Sequence, residues 1–570
     1  MEKGKYGVFM DKKPITTGYL IIFSILFISY AYGFHGFGAA KDRIEGKGYY
    51  YFIRGYMSFK KGELNQAEEY LTKALDYEEG DPVIYTELAN VNVKQGKFEK
   101  ARKNLERALK VGPGNKRALE LLAAIYSTSE EKEKATALYR ELIERYGDKD
   151  AYLQLASLYA EGGNFKDAES TVQGLIDKKP RFFLGYFYMG RILAAQKKYE
   201  KALTYYRKAL KLHPTFDSAM VDTAWILDHQ GKRKEATKMY ERAVGINPSN
   251  AAVRDRLGQL YIQEKKYEKA AGQYEALKSF DLDNTALRTK LGLIYFESGN
   301  LDKAIEEFHF TLKRKPDDYK VRVYLGSAYQ EKGMIPSARK EFIRVPEESE
   351  YFRDAMFHLA FLYSKEKNSS KSMDTLRKLS ERYPGDVGVK VFLGELLYDG
   401  KKYREAVSVL KDVISLAPEN ERAHFLLGVV YDKLGEFTLL EEQMKKAIVL
   451  NPDDGTALNY LGYSYADKNV KLKEAEEMIK KALLIKPDDG YYIDSLAWVY
   501  YRQGRIEKAF KELEKALVNV PDDPVILEHM GDVLRALSRT KEAAEYYKRA
   551  LKKNHENPGI VESKIKEIGK

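Results

Sequence analysis

Alanine recurs along this chain with a fixed step. Ala67, Ala101, Ala135, Ala168, Ala202, Ala236, Ala270, Ala304 and Ala338 follow one another at intervals of 34 residues, with a single interval of 33, and the series resumes at Ala406, Ala475, Ala509 and Ala543. A step of that length fits two helices and their turns. The chain is therefore expected to fold as a stack of like units, each packed on its neighbours, rather than around one central core. Ser372 and Leu440 stand at the alanine site of the tenth and twelfth units.

Other residues keep the same phase. Gly or Ala lies twelve residues before the alanine site, as at Gly55, Ala89, Gly190, Gly258, Gly292, Gly326, Gly428 and Gly531. In the thirteenth unit one residue is inserted within 466–472, which predicts a longer internal turn. Nine units carry Tyr three residues beyond the small residue, among them Tyr126, Tyr261, Tyr295, Tyr329 and Tyr465. Ten of the 16 prolines fall twelve residues after the alanine site, including Pro113, Pro248, Pro316 and Pro521. In the eighth unit Leu291, Gly292 and Tyr295 share one helix face, while Ala304, Phe308 and Thr311 share a face of the next helix. Gly292 and Ala304 lack bulk where the helices approach, and Tyr295 and Phe308 fill the space beside them. Gly299 opens the turn between the helices, and Pro316 ends the second one because it has no N–H and its ring clashes with the preceding turn.

On these residues the span from Gly48 to about Asn557 resembles fifteen consecutive tetratricopeptide repeats. The resemblance implies an all-α fold, a right-handed superhelical solenoid of about fifteen helix-turn-helix repeats. Residues 558–570 read as a capping helix, since a terminal repeat must cover its apolar face. Leu440 should push its helix pair apart and make the twelfth repeat a bend. Gly147 and Pro346 point to altered junctions after the third and ninth repeats, which lack the closing proline. The paired aspartates Asp317-Asp318, Asp453-Asp454, Asp488-Asp489 and Asp522-Asp523 follow that proline directly, so they are expected to start the next helix by accepting its free N–H groups.

The N-terminus carries a different signal. No charged residue occurs in 15–40, and Tyr19 to Tyr32 is strongly apolar, so 15–40 reads as a transmembrane signal-anchor, preceded by a basic segment over 1–14 and followed by a linker over 41–47. Lys3, Lys5, Lys12 and Lys13 bias the N-terminus toward the cytoplasm and the repeats toward the periplasm. Gly38-Ala39-Ala40 and Ala31-Tyr32-Gly33 offer small residues to a signal peptidase, which keeps cleavage and secretion to the periplasm open as the alternative.

Catalytic chemistry has no foothold in the sequence. The eight histidines are scattered without metal-binding spacing, no phosphate loop or nucleophile elbow is present, and cysteine is absent, which excludes thiolate metal sites and disulfides. No enzyme and no cofactor is expected. Lys+Arg 96 against Asp+Glu 85 gives +11, a mild excess for this length, which makes nucleic acid an unlikely partner and an acidic polysaccharide a conceivable one.

The resemblance also says where partners would sit. In the family, positions 2, 5, 6 and 9 of each first helix line a groove. In repeats nine to fourteen these are, among others, Tyr324, Phe357, Phe361, Phe392, Phe425, Tyr460, Tyr463, Tyr491 and Trp498, an expected aromatic trough for an extended peptide or an amphipathic helix. The opposing expectation is that these rings pack between adjacent repeats. The chaperone-binding carboxylate clamp of some members is absent, and the run LNYLGYSYADKNVKLKEAEEMIKKAL is similar to segments of bacterial envelope repeat proteins. The expected function is a membrane-tethered scaffold in pilus, secretion or export machinery. Its rival is a carbohydrate-associated factor of exopolysaccharide export or assembly.

Overall fold

The computed structural model describes residues 45–553 and 555–568. Among them every regular element is a helix, and the helices form two compact bodies that divide between Phe280 and Asp281. The first body holds repeats one to seven, from Glu45–Lys61 to Tyr267–Lys278; the second holds repeats eight to fifteen and a last helix, from Thr285–Glu297 to Pro558–Ile568. The predicted membrane span over 15–40 lies outside the described residues. Among the described residues no helix is long and apolar enough to cross a membrane.

Each repeat is built by the same local chemistry. Most first helices start on an Asn or Asp whose side chain accepts from the first turn: Asp318 from Val321, Asp454 from Thr456, Asp489 from Tyr491 and Tyr492, Asp523 from Val525 and Ile526; Phe182, Phe216 and Tyr351 stand at that place in repeats five, six and ten. The second aspartate of each pair is thus a helix cap. Between the two helices Gly299 adopts φ 76°, and the Asn300 N–H reaches back to the Tyr295 carbonyl at 2.8 Å, which closes the first helix with a left-handed turn. In other repeats Lys197, Lys265, Lys367 and Lys401 take the same left-handed conformation without being glycine.

The small residue of the first helix is set against the side chain four residues after the alanine site. A Cβ placed on Gly326 would lie 2.5 Å from the Phe342 ring, and one on Gly292 would lie 2.6 Å from Phe308. Phe308 and Phe342 are fully buried, and burying a ring of that size contributes about 1.5–3 kcal/mol. The tyrosines at the third phase tie repeats together, since Tyr126 donates to Glu106 and Tyr465 to Glu441, each on the second helix of the preceding repeat.

A polar device that the motif does not announce recurs at the fourth residue of the first helix. Arg288 donates to the Leu282 carbonyl and to Glu307, Arg322 to the Pro316 carbonyl and to Glu341, and Arg254 to the Pro248 carbonyl and to Gln273. In the twelfth repeat His424 lies between the Pro418 carbonyl and Gln443 in the same way. Each side chain pins the incoming turn to both helices of its repeat. The Arg322–Glu341 pair is almost wholly buried.

One expectation about irregular repeats needs correction. Leu440 does not part its helices: it is fully buried, a Cβ on Gly428 would still lie 2.9 Å from Met444, and one buried cluster continues from Ala360 to Val561 through this repeat. Met444 stands where repeats eight and nine carry Phe308 and Phe342, and it is fully buried in the same cluster as Leu440. The division of the chain falls instead after the seventh repeat, where Leu282 occupies the phase of the closing proline and is exposed together with Phe280. The third junction turns on Gly147 at φ 57°, and the ninth follows a second helix cut to Ile335–Ile343.

Candidate functional site

Rings in repeats nine to fourteen form a ladder rather than an open trough. Tyr324 stacks on Phe308 at 6.0 Å, Phe357 lies 5.7 Å from Phe392, and Phe425 meets Tyr460 edge-on at 6.1 Å. Each contact joins one repeat to the next. Tyr460 also donates to Asp432 at 2.8 Å. Tyr324, Phe357, Phe392, Phe425, Tyr460 and Tyr463 are half-buried; only Phe361 and Tyr491 of the nine predicted groove residues are exposed.

Trp498 departs furthest from the expectation. It is buried, with Tyr501 stacked on it at 5.0 Å and His529 at 4.0 Å. His529 in turn lies 2.9 Å from Asp494, and Tyr463 approaches the same imidazole at 6.3 Å. Burial would lower His529, but the Asp494 carboxylate, with Asp532 and Glu528 behind it, outweighs burial and holds its pKa above the usual range. Burial raises Tyr463, and the carboxylates around it add to the shift. Trp498 is therefore core, and its ring is not available to a partner.

The first body supplies what the ladder does not. Trp225 sits one residue after the small residue Ala224, the same phase as Trp498 after Ala497, yet it is 39% exposed. Its ring lies flat on His229 at 5.4 Å, with Tyr199 edge-on at 6.2 Å. The difference comes from the following repeat. There the residue matching His529 is Arg256, which is drawn away to Asp228 and does not stack on the indole as His529 does on Trp498. Close by in the register, Arg191 lies 3.7 Å from Asp222, whose carboxyl is pushed up by burial, with Arg191 and the Tyr206 hydroxyl working against the shift. Tyr49, Tyr56 and Val83 are further exposed side chains at groove phases of the first two repeats. Sequence reading confined to repeats nine to fourteen passes over all of these, although the shared phase of the two tryptophans marks Trp225 directly.

Among the described residues no group of three or more His, Asp or Glu side chains is placed to hold a metal ion. Profiles of the tetratricopeptide repeat match residues 58–125, 92–152, 229–294, 183–216, 289–347, 393–439, 495–559 and 354–386, which together cover more than half of the chain. The chain belongs to the tetratricopeptide repeat family. Over 126 residues it is 24% identical to a TPR repeat-containing protein of Pseudomonas aeruginosa, covering 22% of this chain and 21% of that protein. Over 115 residues it is 28% identical to the TPR repeat-containing protein YpiA of Bacillus subtilis, covering 20% and 27%. The chain thus spans well under half the length of the curated relatives it matches. Among solved structures it is similar to Cut9 bound to Hcn1 of the APC/C, at 14% identity and TM-score 0.37, covering 80% of this chain and 96% of that one. It is also similar to a tetratricopeptide repeat protein of Parabacteroides merdae, at 14% identity and TM-score 0.38, covering 44% and 99%. Tetratricopeptide repeat proteins generally mediate protein–protein interactions, and their fold is typically non-catalytic.

Proposed function

We propose that this chain is a scaffold that holds protein segments against the first-helix faces of its repeats, within a bacterial envelope assembly such as pilus, secretion or export machinery. The observation that supports this most is the set of large side chains left exposed at groove phases in both bodies, with Trp225 and Tyr56 in the first and Phe361 and Tyr491 in the second. Exposed aromatic anchors of this kind fit an extended peptide or one face of an amphipathic helix. Residues 15–40 would tether the scaffold to the inner membrane as a single-pass anchor, with the repeats in the periplasm, or would be removed on secretion.

The alternative, a carbohydrate-associated export or assembly factor, draws on one observation: Trp225 leaves part of a flat ring exposed and the exposed cation Arg191 holds the same phase of the preceding repeat, which suits an acidic sugar polymer. A photoreactive residue placed at 225 and at 491 in the full chain separates the two. Irradiation in cells should give discrete protein adducts at both positions. Adducts with polysaccharide alone would favour the alternative, and no adduct at either position would remove these faces from the function. For the topology, a periplasm-active reporter fused after Lys570 should work and a cytoplasm-only reporter should fail; the reverse would put the repeats in the cytoplasm.

A further inference from the structure

Phe437–Leu450, Leu472–Ile485 and Ile506–Asn519 are the second helices of repeats twelve to fourteen. Nine residues after the alanine site each presents an aliphatic side chain to solvent: Val449 is 77% exposed, Leu484 82% and Val518 81%. The same phase holds Ser415 in the repeat before and Lys552 in the repeat after. Leu450 and Ile485, one residue further along, are exposed as well and widen the apolar row. Apolar side chains so fully exposed at one phase of three successive repeats need a cover.

The neighbours of this row are ordered by charge. Three residues earlier, on the same helix face, stand Lys446, Lys481 and Lys515. Four residues later, beyond the helix end, stand Asp453, Asp488 and Asp522. The surface is therefore three rows, cationic, aliphatic and acidic. Intrachain ion pairs touch both outer rows: Lys446 meets Glu442 at 2.8 Å, Lys515 meets Glu512 at 2.9 Å, Lys481 meets Asp453 at 3.7 Å and Lys553 meets Asp522 at 2.8 Å. All four lysines are well exposed, so these pairs are weak and both rows keep charge to offer a partner.

That order selects the occupant. An anionic bilayer, or any partner of one sign, would be attracted by one outer row and repelled by the other. A second copy turned about a two-fold axis running along the aliphatic row meets neither conflict, because its lysines fall on the aspartates of the first copy and its aspartates on the lysines. An axis across the rows would instead oppose lysine to lysine. We infer that the second helices of repeats twelve to fourteen form a homodimer interface, with Val449, Leu484 and Val518 of one copy each facing the same residue of the other.

The chain has no cysteine, so a single introduced thiol reports this geometry alone. Val449→Cys, Leu484→Cys and Val518→Cys, each made in the full chain in its native cells, should give disulfide-linked dimers on mild oxidation, whereas the exposed control Lys238→Cys should not. Copies carrying Val449→Cys mixed with copies carrying Val518→Cys should link to their own kind only. Replacing Lys446, Lys481 and Lys515 by Glu should lower linkage at 484 about tenfold, and adding Asp453→Lys, Asp488→Lys and Asp522→Lys should restore it. Three further outcomes overturn the proposal. One is thiols at all three positions that react freely with a water-soluble maleimide and never dimerise. Another is thiols that are protected without dimerising, which means that something other than a second copy covers the row. The third is linkage indifferent to charge reversal.

Discussion

Trp225 and Trp498 hold the same phase of the repeat, and the residue that follows 31 positions later separates them: His529 stacks on one indole, while Arg256 turns to Asp228 and the other indole stays partly exposed. Trp498→Ala should therefore empty a core site and cost about 3–5 kcal/mol, seen as a lowered denaturation midpoint. Trp225→Ala should change stability by no more than about 0.5 kcal/mol and weaken partner capture by about 1–3 kcal/mol. If Trp225→Ala melted early with capture intact, Trp225 would be core and the groove assignment wrong. His529 adds a pH dependence. Its folded pKa is raised, so the stability it contributes is fully present below the unfolded value of about 6.5 and is lost as pH rises through the folded pKa. In a pH series of melts, wild type should lose more stability above about pH 6.5 than His529→Gln does. An equal loss in both would mean that the imidazole is not charged at neutral pH. The tryptophans show how far sequence goes at this scale. Their phase was legible; their burial was not, because it depends on a side chain of the next repeat and on whether that side chain has a better partner elsewhere.

At the scale of helices and repeats, the features read correctly were those that repeat in type: the small residue at Gly326, the left-handed glycine at Gly299, the capping aspartate at Asp318. Gly326→Ala should overpack Phe342 and cost about 1–3 kcal/mol, since a ring fixed between two helices cannot yield as a flexible chain end would. The Arg322 clamp escaped notice because its partners change identity, Glu in two repeats and Gln in two others, so that each arginine resembles an ordinary surface charge. Burial gives it consequence. Arg322→Met leaves the buried Glu341 with only the more exposed Arg344 as partner and should cost about 3–5 kcal/mol, whereas the double change Arg322→Met with Glu341→Leu should recover most of the loss. Urea midpoints of the three proteins check this, and a double variant as weak as the single one would show that the clamp on the Pro316 carbonyl matters more than the charge pair.

Across the whole molecule the decisive question is how far a local fault travels. Stability in a stack of repeats is close to a sum of repeat and neighbour terms, so a fault spreads only as far as the interfaces it weakens. The chain adds a boundary to this rule, because its two bodies divide at the seventh junction, where Leu282 replaces the closing proline. The boundary is hidden in the sequence: one missing proline among several reads as noise, and Leu440 reads as the stronger defect although it is buried in a continuous core. Ala304→Trp tests the rule and the boundary together. Ala304 is fully buried against the first helix of its repeat, so an indole there should force the pair apart and cost about 1–3 kcal/mol or more. Hydrogen exchange resolved along the chain should then show lost protection centred on 285–314 and fading through the following repeats, while 45–280 keeps its protection. Uniform loss from 45 to 568 would mean that the repeats unfold as one cooperative block, and nearest-neighbour packing would no longer account for this fold.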